Sequence, residues 1–115
     1  MSQLQTLAAE VIAFRDERDW KQFHNPKDVA LSLLLEASEL LELFQWKQGA
    51  QVEEVASKQK ARVAEELADV FNYTLLLAQD LGIDLEQALR DKLASNAVKY
   101  PADKARGTSR KYTEL

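Results

Sequence analysis

Two pairs of acidic residues lie within apolar segments, at a spacing that could form a catalytic or metal-binding site. Glu36 and Glu39 lie within LLLEASELLELFQW, and Glu66 and Asp69 lie within EELADVFNY. The members of each pair are three positions apart, so on a helix they lie about 60° apart and one turn along, on one face. Burying an unpaired carboxylate is costly unless it is protonated or meets a cation. If the two helices pack side by side, the four carboxylates converge on one point.

A convergence of this kind predicts a metal site for a hard divalent cation such as Mg²⁺, because every donor is a carboxylate oxygen. A softer metal would take Cys or His ligands, but the chain has no cysteine and neither pair contains a histidine. Di-iron bundles use Glu-x-x-His pairs, so oxygen chemistry and metal storage are disfavoured. The spacing alone is a weak signal, since Asp16/Asp19 and Glu39/Glu42 repeat it. The occurrence of this spacing on two apolar helices is a stronger signal.

The segments that must position these acids are predicted to be helices, and the fold class is all-α. Asn25-Pro26 is typical of a helix start, and Asp84 with Gln87 resembles a capping box. Glycines end the second and third helices. The four predicted helices cover residues 2–19, 26–47, 52–79 and 84–100.

The second helix is apolar over about half of its circumference, judged at 100° per residue. Leu31 and Leu35 widen this surface further. Four helices in one small chain cannot easily cover it together with the apolar half of the third helix. We therefore expect a four-helix bundle that is completed by assembly into a homo-oligomer.

Composition and charge narrow the classes of protein further. A chain of 115 residues fits one domain, predicted as a helical domain over residues 1–100 followed by a basic tail over residues 101–115. The net charge is −4 with acids and bases interleaved, which argues against nucleic-acid binding. No apolar run could span a membrane, and the N-terminus lacks signal-peptide features. The absence of cysteine favours a cytoplasmic location.

Several motifs together resemble a known enzyme family. LLLEASELLELFQW, EELADVFNYTLLLA and SNAVKYP are similar to the all-α nucleoside triphosphate pyrophosphohydrolases of the MazG-like group. RDWKQFHNP, the FQW ending and the tail SRKYTEL resemble its dCTP pyrophosphatase branch in particular. The broader family often doubles the first glutamate, and here Leu35 precedes Glu36. The resemblance implies cleavage of a nucleoside triphosphate, dCTP or a modified dCTP, between its α- and β-phosphates, which gives a monophosphate and pyrophosphate.

The resemblance also implies roles for individual residues. The Mg²⁺ ligands would be Glu36, Glu39, Glu66 and Asp69, and either Glu36 or Glu39 would take a proton from the attacking water. Aromatic faces for the base would come from Trp20, Phe23, His24 and Trp46. Further substrate contacts would come from Tyr73, which helical geometry also places on the metal face, and from a stripe of Lys92, Asn96, Lys99 and Tyr100.

Other functions remain open from the sequence. A non-catalytic helical oligomer that binds nucleotide or a partner protein is the main alternative to the enzyme. The resemblance suggests a dimer of dimers, but the base preference, the number of Mg²⁺ ions and the function of the basic tail are not determined by these motifs.

Overall fold

The chain is helical throughout, as the all-α prediction requires. The computed structural model describes residues 1–115. Its helices are α1 (Gln3–Glu17), α2 (Pro26–Glu42), α3 (Ala50–Lys58), α4 (Lys60–Asp80), α5 (Leu85–Lys99) and α6 (Ala102–Ala105). Short 3₁₀ segments cover Lys21–Phe23 and Tyr112–Glu114. None of the helices combines the length and the apolarity needed to cross a bilayer.

The predicted helix starts are confirmed at the level of hydrogen bonds. The Asn25 side-chain oxygen accepts from the Asp28 backbone N–H at 2.9 Å, and Pro26 opens α2. The Asp84 carboxylate accepts from the Gln87 backbone N–H at 3.1 Å. The reciprocal half of the predicted capping box is absent, because the Gln87 side chain donates to Asp91 instead.

Two predicted helix boundaries were wrong. Helix α2 ends at Glu42 rather than at Lys47, because its last turn tightens into bonds between residues three apart, such as Phe44 N–H to the Leu41 carbonyl at 2.9 Å. The predicted third helix is interrupted at Gln59, where φ is −111° and ψ is 30°. No proline or glycine lies at this break. Helix α3 contacts α4 and carries the buried Val55, so the break keeps this segment packed.

The first of two compact units, Met1–Gly82, is built around α4. Helices α1, α2 and α3 all contact α4, and α2 does so most extensively. Arg15 near the end of α1 donates two hydrogen bonds to Asp80 at the end of α4, at 2.8 and 2.9 Å. The buried apolar residues are Ala8, Val29, Val55, Leu75, Leu76 and Ala78. The α2–α4 pair is therefore the scaffold that positions the four acids.

The second compact unit, Ile83–Leu115, contains α5, α6 and the C-terminal 3₁₀ segment. Tyr112 packs edge-to-face on Tyr100 with ring centroids 5.8 Å apart. The Lys99 ammonium lies 5.2 Å from the centroid of the Tyr112 ring. The basic tail is thus folded back onto the end of α5, while the proposed domain boundary at residue 100 stays a prediction.

Candidate metal centre

The four predicted acids meet at one point between α2 and α4. Glu36 and Glu39 come from α2, and Glu66 and Asp69 come from α4. One carboxylate oxygen from each residue lies within 4.8 Å of all the others. The acid-x-x-acid spacing places each pair on one helix face, and the packing of α2 on α4 brings the two faces together. The predicted convergence is confirmed.

Two of the four acids are shielded from water, and no hydrogen bond or ion pair compensates for this burial. The Glu66 residue is only 9% exposed, and Glu36 is partly buried. The Oε2 atoms of both residues are buried and have no hydrogen-bond partner. No lysine or arginine forms an ion pair with any of the four acids, and this includes Arg62, which lies one helical turn before Glu66.

Burial and mutual repulsion make these carboxyls hold protons more strongly. Burial raises the pKa of Glu36 from 4.5 to about 7, with further contributions from the adjacent Glu39 and from Asp69 and Glu66. Burial, followed by the effects of Glu39 and Asp69, also raises the pKa of Glu66, and Arg62 opposes this shift weakly. A site with these properties is stabilised either by protons or by a cation.

The donor set fits a hard divalent cation. Four carboxylate oxygens within a few ångströms match the all-oxygen coordination of Mg²⁺, and waters or substrate oxygens would complete the shell. The two orphaned oxygens, on Glu36 and Glu66, are buried acceptors that a bound cation would satisfy. Residues of this chain that could hold a metal are therefore Glu36, Glu39, Glu66 and Asp69.

A cavity of about 460 Å³ adjoins the acid cluster and shares Asp69 with it. This volume lies within the range of small-molecule sites, roughly 300–1,000 Å³. The lining is mostly apolar, and its only polar residues are Glu10, Asp69 and Asn72. The cavity lies between α1 and α4 and is lined by Leu7, Glu10, Val11, Phe14, Ala68, Asp69, Phe71, Asn72 and Leu75.

Sequence reasoning missed the other residues that line this cavity. Leu7, Val11 and Phe14 follow helical spacing on α1, and Ala68, Phe71 and Leu75 do so on α4, which is the usual pattern of a core. Only the packing of the two helices shows that the space between them is left open. Asn72, a half-buried amide one position before Tyr73, lies within EELADVFNY, but it was not singled out there as a site residue.

The predicted aromatic residues of the first unit occupy different surroundings. Trp20 packs edge-to-face on the cavity residue Phe14 at 6.0 Å, and the Arg18 guanidinium lies 3.6 Å from the centroid of the Phe14 ring. Trp46 is 87% exposed, in a left-handed backbone conformation with φ of +67°. His24 lines a separate cavity at the other end of α4.

Six further residues were expected to bind substrate, and the two in the first unit, Phe23 and Tyr73, do not line the cavity. Phe23 is exposed, and Tyr73 is half-buried on α4, four positions after Asp69. Four lie in the second unit, where Lys92 is exposed, Asn96 is half-buried, and Lys99 and Tyr100 both contact Tyr112. Substrate binding by these residues stays a prediction.

Comparisons with known proteins place this helical arrangement in context. Residues 31–115 match the model of the MazG-like family. The chain is 44% identical over 104 residues to dCTP pyrophosphatase 1 of Homo sapiens and 43% identical to that of Rattus norvegicus, covering 89% of this chain and 61% of each relative. It thus spans about three fifths of the length of these curated relatives.

A solved structure is similar as well. A pyrophosphatase from Archaeoglobus fulgidus superimposes with a TM-score of 0.83 and 38% sequence identity. The match covers 88% of this chain and 94% of the archaeal one. The sequence comparison and the fold comparison therefore both find proteins named as pyrophosphatases.

Proposed function

Since the chain belongs to the MazG-like family, we propose that it is a Mg²⁺-dependent nucleoside triphosphate pyrophosphohydrolase. It would cleave the anhydride between the α- and β-phosphates and release a nucleoside monophosphate and pyrophosphate. The observation that carries the proposal is the cluster of four carboxylates with two buried, unpartnered oxygens. An arrangement of this kind is costly in a purely structural protein, and a metal-dependent site accounts for it.

Glu36, Glu39, Glu66 and Asp69 are the proposed Mg²⁺ ligands. When bound, Mg²⁺ neutralises phosphate charge and lowers the pKa of a coordinated water. Without such a cation the four acids would repel a triphosphate. Both the acid cluster and the substrate therefore require the divalent cation. Glu36 and Glu39 are the two candidates to accept the proton of the attacking water.

The cavity beside Asp69 is the proposed pocket for the nucleobase. Its apolar lining suits an aromatic ring, and Trp20 supports one wall through Phe14. The mammalian relatives are named as dCTP pyrophosphatases, which supports dCTP or a modified dCTP as the substrate. Removal of surplus nucleotides from the cellular pool would be the purpose, and the cysteine-free composition is consistent with a cytoplasmic location.

Product analysis with matched variants tests this function. Wild-type protein incubated with dCTP and Mg²⁺ should release dCMP and pyrophosphate. Glu36→Gln or Asp69→Asn should lower kcat by roughly 10²–10⁴-fold while circular dichroism shows the helices retained. Glu42→Gln is the control, because Glu42 is an exposed acid at the end of α2 outside the cluster. Release of dCDP with orthophosphate, or no turnover across all common nucleoside triphosphates, would contradict the proposal.

Self-association into a homo-oligomer, with a dimer of dimers as the expected state, is part of the proposal. Leu31, Leu34, Leu35 and Leu41 are each more than half exposed on α2. At 100° per residue they lie on the side opposite to Val29 and Leu40, which face inward. This exposed stripe also supports the alternative of a non-catalytic helical oligomer. That alternative predicts no turnover, and nucleotide affinity unchanged by Glu36→Gln.

A further inference from the structure

A second cavity, of about 380 Å³, lies at the far end of the first unit from the acid cluster. Asp80 follows Asp69 by 11 residues on α4, which corresponds to about 16 Å along the helix axis. The cavity is therefore separate from the proposed metal centre. It is lined by Ile12, Arg15, Asp16, Lys21, His24, Asn25, Pro26, Gln79 and Asp80.

One of these residues, Arg15, is a buried cation with a donor to spare. The Arg15 residue is 3% exposed, and its two terminal nitrogens donate to the Asp80 carboxylate. Its Nε atom is buried and has no hydrogen-bond partner. The Oδ1 atom of Asp16 lies 3.8 Å from Arg15 Nε, which is beyond hydrogen-bond distance. A buried donor in this state is costly unless a ligand or a water molecule accepts from it.

Other polar groups line the same cavity. The Nδ1 atom of His24 is also buried and without a partner, and Lys21 contributes an ammonium group. Asn25 and Pro26 form the start of α2, a helix of 17 residues whose positive end favours an anion.

The two acids of the lining do not use the Nε donor of Arg15. The Asp80 charge is compensated by Arg15, and the Asp16 side chain is 54% exposed, so that water screens it. Lys21 is exposed as well, so the donor that water does not reach is the buried Nε atom of Arg15. The lining thus offers a buried donor, an ammonium group and a helix start to a small group that carries acceptors.

From this lining we propose a second binding site, specific for a small oxyanion of the phosphate class, held by Arg15 Nε, Lys21 and His24. The site is independent of the proposed hydrolase reaction. Its ligand would be free inorganic phosphate or the phosphoryl group of a phosphomonoester, because both present the same oxygens. Filling by water alone is the competing outcome.

The single histidine of the chain makes a direct test possible. His24 is the only imidazole, so one set of ring ¹H–¹⁵N resonances reports on this cavity at fixed pH. Protein freed of divalent ions on a chelating resin is titrated with inorganic phosphate, and sodium chloride at equal ionic strength is the control. We expect saturable shifts of the His24 resonances with phosphate and none with chloride. Equal responses to phosphate and chloride would overturn the proposal. A lack of response to both phosphate and dCMP would also overturn it and would favour filling by water.

Variants and ligands distinguish the remaining possibilities. Lys21→Gln should weaken phosphate binding roughly tenfold, the usual effect of losing a hydrogen bond to a charged group. Lys27→Gln should leave it unchanged, because the Lys27 side chain is 86% exposed and lies outside the cavity lining. Saturation by dCMP but not by inorganic phosphate would assign the phosphoryl group to a phosphomonoester and support the site. Equal shifts with deoxycytidine, which has no phosphate, would overturn it.

Discussion

At the scale of single residues, this chain contains two kinds of shielded charged group, one in an ion pair and one without a positive partner. The two terminal nitrogens of Arg15 donate to the Asp80 carboxylate at 2.8 and 2.9 Å. Glu36 and Glu66 instead face other acids and keep unpartnered oxygens. The Arg15–Asp80 ion pair stabilises the fold. The repulsion among the acids around Glu36 and Glu66 destabilises it, and a bound cation would relieve that repulsion.

The acid cluster predicts an unusual dependence of stability on pH. The pKa of Glu36 in the folded protein is about 7, above the ordinary 4.5. The folded state therefore holds a proton that the unfolded chain has lost. The contribution of this group is fully present below pH 4.5 and is lost as the pH rises through about 7. Urea unfolding of metal-free protein should show a higher free energy of unfolding at about pH 5.5 than at about pH 8.

Two comparisons isolate this effect. Glu36→Gln should flatten the pH dependence and stabilise the metal-free protein at high pH, because it removes one of the repelling charges. Added Mg²⁺ should raise the stability mainly at high pH, where the acids have lost their protons. A metal-free protein that becomes steadily more stable from about pH 5.5 to about pH 8 would contradict the raised pKa values.

At the scale of elements, the packing of α2 on α4 brings the two acidic faces together, and the Arg15–Asp80 ion pair fixes the end of α1 to the end of α4. The break at Gln59 and the tightened turn after Glu42 adapt the ends of these helices to their neighbours. Local sequence indicated where α2 and α5 start, whereas the early end of α2 and the break at Gln59 were not visible in it.

The ion pair between α1 and α4 should respond unequally to the loss of each partner. Asp80→Ala leaves the deeply buried Arg15 guanidinium unpaired and should cost about 2–4 kcal/mol. Arg15→Met leaves Asp80, whose side chain is 21% exposed and can be hydrated, and should cost about 1–2 kcal/mol. Chemical denaturation of both variants measures the difference.

The control for this pair is Glu54→Ala, which breaks the exposed contact with Lys58 on α3 and should cost less than about 0.5 kcal/mol. Arg15 also lowers the pKa of Asp80, so the contribution of the ion pair is present above the ordinary value of 3.8 and is lost as the pH falls through the lower folded value. A larger loss for Arg15→Met than for Asp80→Ala would contradict this account.

At the scale of the whole molecule, one side of α2 packs on α4, and the opposite side carries the exposed residues Leu31, Leu34, Leu35 and Leu41. Trp46, which follows the end of α2, is exposed as well. Large apolar side chains concentrated on one helix face mark an interaction surface, and a second copy of the chain is the proposed occupant.

A charge placed in the leucine stripe should therefore break the assembly. Leu34→Glu or Leu41→Glu would bury a carboxylate at the subunit interface, so light scattering after gel filtration should show a smaller molar mass than for the wild type. Ser57→Glu, an exposed substitution on α3, should leave the mass unchanged. A wild-type protein that is monomeric at all concentrations would contradict the proposed oligomer.

Residue types and spacing were enough to predict the starts of α1, α2 and α5, the two acid pairs and the apolar faces. Each of these depends on residues within one or two turns, where a helical repeat makes geometry readable from spacing. Glu36 and Glu39 had to share a face once α2 formed, and Asn25 had to cap it. The motifs that resemble the MazG-like group could be identified for the same reason.

The tertiary structure alone decided which faces meet and what space lies between them. It brought the four acid oxygens within 4.8 Å, left a cavity open between α1 and α4, and put His24 beside Arg15 and Asp80 rather than at the metal centre. Distances of this kind depend on how side chains far apart in the sequence fill shared volume, and residue spacing carries no information about that volume.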